Sequence, residues 1–210
     1  LKLMSGMGAI SAAAGADQIE AIWQKAAKHL VQEKQWRVRR AVVEQIPEIA
    51  ALASSSAMEA TVYSVLRAGL FDEVAQIRKA TAETIPALLA KKGLEDVKVH
   101  VVPILWDLHA AKDKDIPAYH QKIAFLSAVE KMGGSPELLA ELVPAVTKLL
   151  LDDTANTVFS AARCIAELAP VLVDNGLCVA ECKANLQKAQ RNSEDVDVKH
   201  YTAIALLKLG

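Results

Sequence analysis

The stretch KQWRVRRAVVEQIPEIAA at residues 34–51 is written a second time further along the chain. Moving 39 positions on, Val38, Arg39, Arg40, Ala41, Glu44, Ile46 and Pro47 meet Ile77, Arg78, Lys79, Ala80, Glu83, Ile85 and Pro86. Weaker copies share the phase: Val198, Lys199 and Leu206 stand 160 positions after Val38, Arg39 and Ile46, and Ala162 and Ile165 stand 80 after Ala82 and Ile85. A period in the range of about 20 to 50 residues marks an array of small units, none of which can bury its apolar face alone. That constraint excludes most single-core folds.

Composition says what the units are made of. Apolar residues reach 52% of the 210, yet aromatics are only 4%. Ala and Leu dominate, which suits helices packed through small and aliphatic side chains better than a sandwich or barrel. The fold expected is therefore all-α, an α-solenoid of about five and a half helical hairpins. The net charge of −1 gives no general attraction to nucleic acid or to anionic lipid. No uninterrupted run of about 20 apolar residues is present, so no membrane span is expected.

Taken in order, residues 1–16 read as the second helix of a truncated repeat. Their short apolar run is diluted by Ser5, Gly6 and Gly8, which argues against a secretory signal. Repeats then follow at 17–54, 55–93, 94–134, 135–174 and 175–210. Helices are expected from Asp17 to about Val31, Trp36 to about Leu52, Met58 to Gly69, Ala75 to Lys91 and Glu95 to Ala111. Ala118 to Met132, Pro136 to Leu151, Thr157 to Val173, Leu177 to Gln190 and Val196 to Leu209 complete the set. Pro47 and Pro86 fall inside second helices and are expected to bend them. Gly93 is placed to close the helix before it.

The turn inside each hairpin is acidic or polar: Glu33, Asp72-Glu73, Asp113 with Asp115, Asp152-Asp153, and Glu194-Asp195. Standing just before a helix, such carboxylates can accept orphan backbone N–H bonds and oppose the dipole. Capping is read as their main role, with partner contact a second and compatible one. Arg39 and Arg78 lie nearer the apolar stripe than Arg37 and Arg40, and are expected to bond turn carboxylates between neighbouring repeats. Trp36, at a polar turn, is the best single candidate for a partner anchor, because it offers a large apolar face and a donor. The alternative is a staple packing back onto its own hairpin.

Three cysteines, Cys164, Cys178 and Cys182, make no even disulfide framework. Cys178 and Cys182 are four apart, near one face of a helix, and read as small, partly buried thiols. His29, His100, His109, His120 and His200 are scattered over five helices, each read as a solvated or hydrogen-bonded helix residue. No Gly-rich phosphate loop, H-E-x-x-H or Ser nucleophile elbow is present, so no catalytic site, cofactor or metal is expected.

The hairpins, with a Pro in the first helix and Asp-x(n)-Val-Arg leading into the second, resemble HEAT repeats. The ordered run of WRVR with VVEQIPEIA, DEVAQIRKAT, LVPAV before DDTANTVFSAA, and EDVDVKHYTAIAL is similar to the scaffolding A subunits of protein phosphatase 2A. It matches their last repeats over nearly the whole chain. The resemblance implies a non-catalytic scaffold, cytoplasmic with the nucleus a second compartment, whose turn ridge binds the catalytic subunit of that phosphatase. Regulatory B-type subunits would bind through repeats mostly absent here. Carried over residue by residue, the partner-binding positions are Trp36, Arg37, Gln76, Asn156, Asp195, Asp197 and Tyr201. Ala75, the turn from Ile116 to Tyr119, and Val158 in place of the ladder Arg depart from the family pattern. The alternatives are a HEAT-repeat adaptor for a different protein client, or an enzyme of the HEAT class acting on nucleic acid or through a metal.

Overall fold

Proline decides where the first long helix stops. It has no N–H to bond the carbonyl four residues back, and its ring crowds that carbonyl. For Pro47 the crowded carbonyl is that of Val43. In the computed structural model, which describes residues 23–25, 27, 31–52 and 56–210, helix α1 (Trp36–Val43) ends at that residue. Helix α2 (Ile46–Leu52) then begins with Pro47 in its first turn. The expected single bent helix is two helices, joined where Glu44 N–H reaches Arg40 O and Gln45 N–H reaches Val42 O.

Helices α3 (Ser56–Leu70) and α4 (Ala75–Lys92) form the next hairpin. Pro86 lies inside α4 without interrupting it. Gly93, with φ at 88°, ends α4 in a backbone region that favours glycine. Pro103 acts as Pro47 does. The helix expected from Glu95 to Ala111 is split at Val101 into α5 (Leu94–His100) and α6 (Val102–His109).

The remaining elements are α7 (Ala118–Glu130), α8 (Pro136–Leu149), α9 (Ala155–Asp174), α10 (Val179–Asn192) and α11 (Val196–Leu209). Apart from the two splits, the helices whose ends are described lie within two residues of their expected bounds. All regular structure among the described residues is helical. The expected helix at 1–16 lies outside those residues. The helix expected from Asp17 is represented only by helical positions 23–25 and 27, where Trp23 is 1% exposed.

Two compact units make up the chain, Leu1–Ile104 and Leu105–Gly210. The division falls inside the stretch 94–134 expected as one repeat. In the first unit α1, α2 and α3 all pack on α4, burying Val42, Ile46, Leu66, Leu70, Ile77 and Ile85. Gly69 permits the tightest approach: a Cβ there would fall on Thr81 Oγ1 and lie 2.7 Å from Val43 Cγ1. In the second unit α9 is central, touching α7, α8, α10 and α11. It is the one helix among the described residues long and apolar enough to cross a membrane, and its neighbours bury 61% of that window. Its apolarity is accounted for by packing.

Candidate functional site

The second helix of each hairpin starts at a defined cap: Gln35, Val74, Pro117, Thr154 and Asp195. Four residues after each cap stand Arg39, Arg78, Gln121, Val158 and Lys199. Each of the first three braces the turn before it. Arg39 Nη1 donates to Glu33 O at 2.6 Å and Lys34 O at 3.3 Å. Its other nitrogens cross to the next turn, Nε to Asp72 Oδ2 at 2.7 Å and Nη2 to Asp72 Oδ1 at 3.0 Å. The Asp72 hydrogen bond holds the guanidinium pKa above its ordinary value against the opposing effect of burial. Arg78 Nη1 donates to Asp72 O and Glu73 O, and Gln121 Nε2 donates to Asp113 O and Ile116 O. In the second unit Lys122, one place further on, makes the crossing bond to Asp152 at 2.5 Å.

The turn carboxylates are only partly caps. Asp195 alone among them caps its helix, accepting from Val198 N–H at 3.0 Å. Asp72, Asp113 and Asp152 accept instead from the N–H two residues on, at Val74, Asp115 and Thr154. These are Asx turns, which fix the bend rather than the first helical turn. The capping role expected for these three is therefore corrected. Each acts one step earlier, on the turn itself.

The expected partner-binding residues follow the same register. Trp36 and Arg37 open α1, and Gln76 stands at the second position of α4. Trp36 is half-buried, and the Arg37 guanidinium lies 4.8 Å from its ring centroid. Both residues, with Arg40, Ala41 and Glu44, line a shallow depression of about 270 Å³, so the ring keeps an open side. Arg37 and Gln76 are exposed. In the second unit Asn156, Asp195 and Asp197 are exposed at the starts of α9 and α11, two helices that pack together. Tyr201 is different: it stacks on Phe159 at 5.7 Å between centroids and is half-buried.

Between the turns at 151–154 and 193–195 lies a groove of about 310 Å³ lined by Leu151, Asp153, Val158, Lys188, Asn192 and Ser193, among others. Its apolar floor is the cluster of Val158, Ala189 and Val198. The sequence signal was present, since Val158 departs from the ladder Arg, but an absent side chain does not announce a groove.

The cysteines are free. Cys164 and Cys182 are buried, and burial drives both thiol pKa values upward. Cys178 is not on a helix with Cys182 as expected; it precedes α10 with a left-handed φ of 51°. His100 stacks on Tyr63, whose hydroxyl bonds Asp96. His109 packs edge-on to Phe125 and Trp106 with its Nε2 buried and unpartnered. Burial, then Lys122 and Lys148, push its pKa down. Among the described residues no group of three His, Cys, Asp or Glu side chains is placed to hold a metal. His29 lies outside them.

No protein-family model matches the chain, and no curated protein matches it. Among solved structures, the crystal structure of an engineered protein from a structural genomics consortium is similar at a TM-score of 0.39 and 18% identity. The match covers 89% of this chain and 96% of that one.

Proposed function

We propose that the chain is a non-catalytic scaffold built of HEAT repeats, whose inner turns dock another protein, and that this client is the catalytic subunit of protein phosphatase 2A. The observation that carries the docking reading is the arrangement at the helix starts. Buried side chains at one repeated position brace the turns, through Arg39 to Asp72 in one unit, and two places before Arg39 and Arg78 the side chains of Arg37 and Gln76 are left outward. A braced turn holds its exposed side chains in place before binding, which lowers the ordering cost of an interface. The choice of client rests on the sequence resemblance alone. A different protein client is the second reading, favoured by the departures at Ala75 and Ile116 to Tyr119.

Trp36 tests it. Its open ring with Arg37 alongside is the residue pair favoured at interface hot spots. Trp36→Ala is expected to weaken capture of the purified catalytic subunit by ~2 kcal/mol, about thirtyfold in Kd, with the far-UV spectrum unchanged. Equal affinity of variant and parent removes Trp36 as the anchor, and no capture by either removes the client.

A further inference from the structure

We propose that the groove beside Val158 receives an arginine side chain from a partner protein, seated as the chain seats its own guanidinium groups at earlier turns. The argument is one of offsets. Arg39 donates to the carbonyls of Glu33 and Lys34, six and five residues before it. Arg78 does the same to Asp72 and Glu73. Val158 stands at those same offsets from Asp152 and Asp153. Valine has no donor, and among the described residues nothing donates to the Asp152 and Asp153 carbonyl oxygens. Where an arginine braces the other two turns, this one has an opening of about 310 Å³.

The lining suits an arginine. Val158, Ala189 and Val198 offer an apolar floor for its methylene stem. The two carbonyls offer acceptors to a planar, multiply donating head, which a point-charged ammonium matches less well. Asp153 is an exposed carboxylate with no bonded partner, while Asp152 beside it is already paired with Lys122 at 2.5 Å. Lys188 lines the groove and bonds neither carbonyl, so both carbonyls and the Asp153 carboxylate are open to an incoming guanidinium. Leu151, 42% exposed at the rim, gives a neighbouring apolar residue somewhere to rest. That favours an arginine within a polypeptide over free arginine.

This inference rests on the turns being a protein-docking edge and is independent of which protein docks. Its test is an amide NMR titration of the full chain with the peptide acetyl-Ala-Leu-Arg-Leu-Ala-amide. The control is the same peptide carrying citrulline, which has nearly the same shape without the charge. The arginine peptide should give saturable shifts at Asp152, Asp153, Thr154, Asn192 and Ser193, with citrulline at least tenfold weaker. Absent shifts, or equal shifts with citrulline, overturn the proposal; free arginine binding as tightly as the peptide overturns the protein partner. Val158→Arg should erase peptide binding by filling the groove in cis, and undiminished binding to that variant overturns the site. Should it lose its helical signal, Val158→Met fills the same space without a donor and is read the same way. Trp36 lies in the other unit, so phosphatase capture and this titration can fail separately.

Discussion

Arg39 and Asp72, 33 residues apart in sequence, meet as a two-point pair: Nε to Oδ2 at 2.7 Å and Nη2 to Oδ1 at 3.0 Å. Both side chains are 9% exposed. The guanidinium also satisfies the carbonyls of Glu33 and Lys34, so one side chain fixes its own turn and the next. Neutral replacement leaves a nearly buried carboxylate with only Val74 N–H as a close donor.

Arg39→Met is therefore expected to lower stability by about 1.5–3 kcal/mol, the range for hydrogen bonds to charged groups. Urea unfolding measures it. A double-mutant cycle with Asp72→Asn should return a coupling well above the ~1 kcal/mol upper range of an exposed pair. Arg40 and Glu44, also 2.7 Å apart but exposed, supply the contrast: Arg40→Met should cost about 0.5 kcal/mol or less.

Gly69 sets the approach of three helices. Alanine gains about 1 kcal/mol over glycine in a helix, but here its methyl falls on Thr81 Oγ1 and against Val43. Neither neighbour can easily give. Thr81 is β-branched and fully buried, with its hydroxyl bonded to Ile77 O, and Val43 is 2% exposed. Overpacking of this kind costs about 1–3 kcal/mol, so Gly69→Ala should lower Tm. Gly134→Ala, where a Cβ meets nothing within 4 Å, should leave it unchanged. A higher Tm for Gly69→Ala would show that the helices separate freely.

The helices were legible because their apolar spacing is strong and their punctuation plain: Gly93 closes α4, and α11 runs over the expected Val196–Leu209. The burial of Arg39 and Arg78 was legible too, because their positions relative to the apolar stripe differ from those of Arg37 and Arg40. Proline was not. Pro47 and Pro103 split their helices while Pro86, Pro144 and Pro170 lie inside unbroken ones, so the presence of a proline does not by itself mark a helix end. The crossing bond from Lys122 to Asp152 was equally hidden, since it sits one residue away from the position that Gln121 uses to brace its own turn.

Lys122 acts on two titrating groups at once. Desolvation would raise the Asp152 pKa, but hydrogen bonds from Lys122 and Thr154 outweigh it and hold the carboxyl below its ordinary value. A depressed carboxylate stabilises the fold fully above its unfolded pKa, about 3.9, and that contribution is lost as pH falls through the folded value. His109 is depressed by burial first and then by Lys122 and Lys148. The unfolded chain takes up that proton first, so stability falls as pH drops below about 6.5. Lys122→Met should thus cost about 1–2 kcal/mol at pH 7.5, where Asp152 is ionised and His109 neutral. The gap from the parent should narrow at pH 3. There Asp152 is increasingly protonated, and near His109 the parent carries one more cation than the variant, which keeps Lys148 alone. The His109 midpoint, followed by NMR, should rise in the variant. A gap of the same size at both pH values, or an unmoved His109 midpoint, would mean that Lys122 does not govern this corner of the second unit.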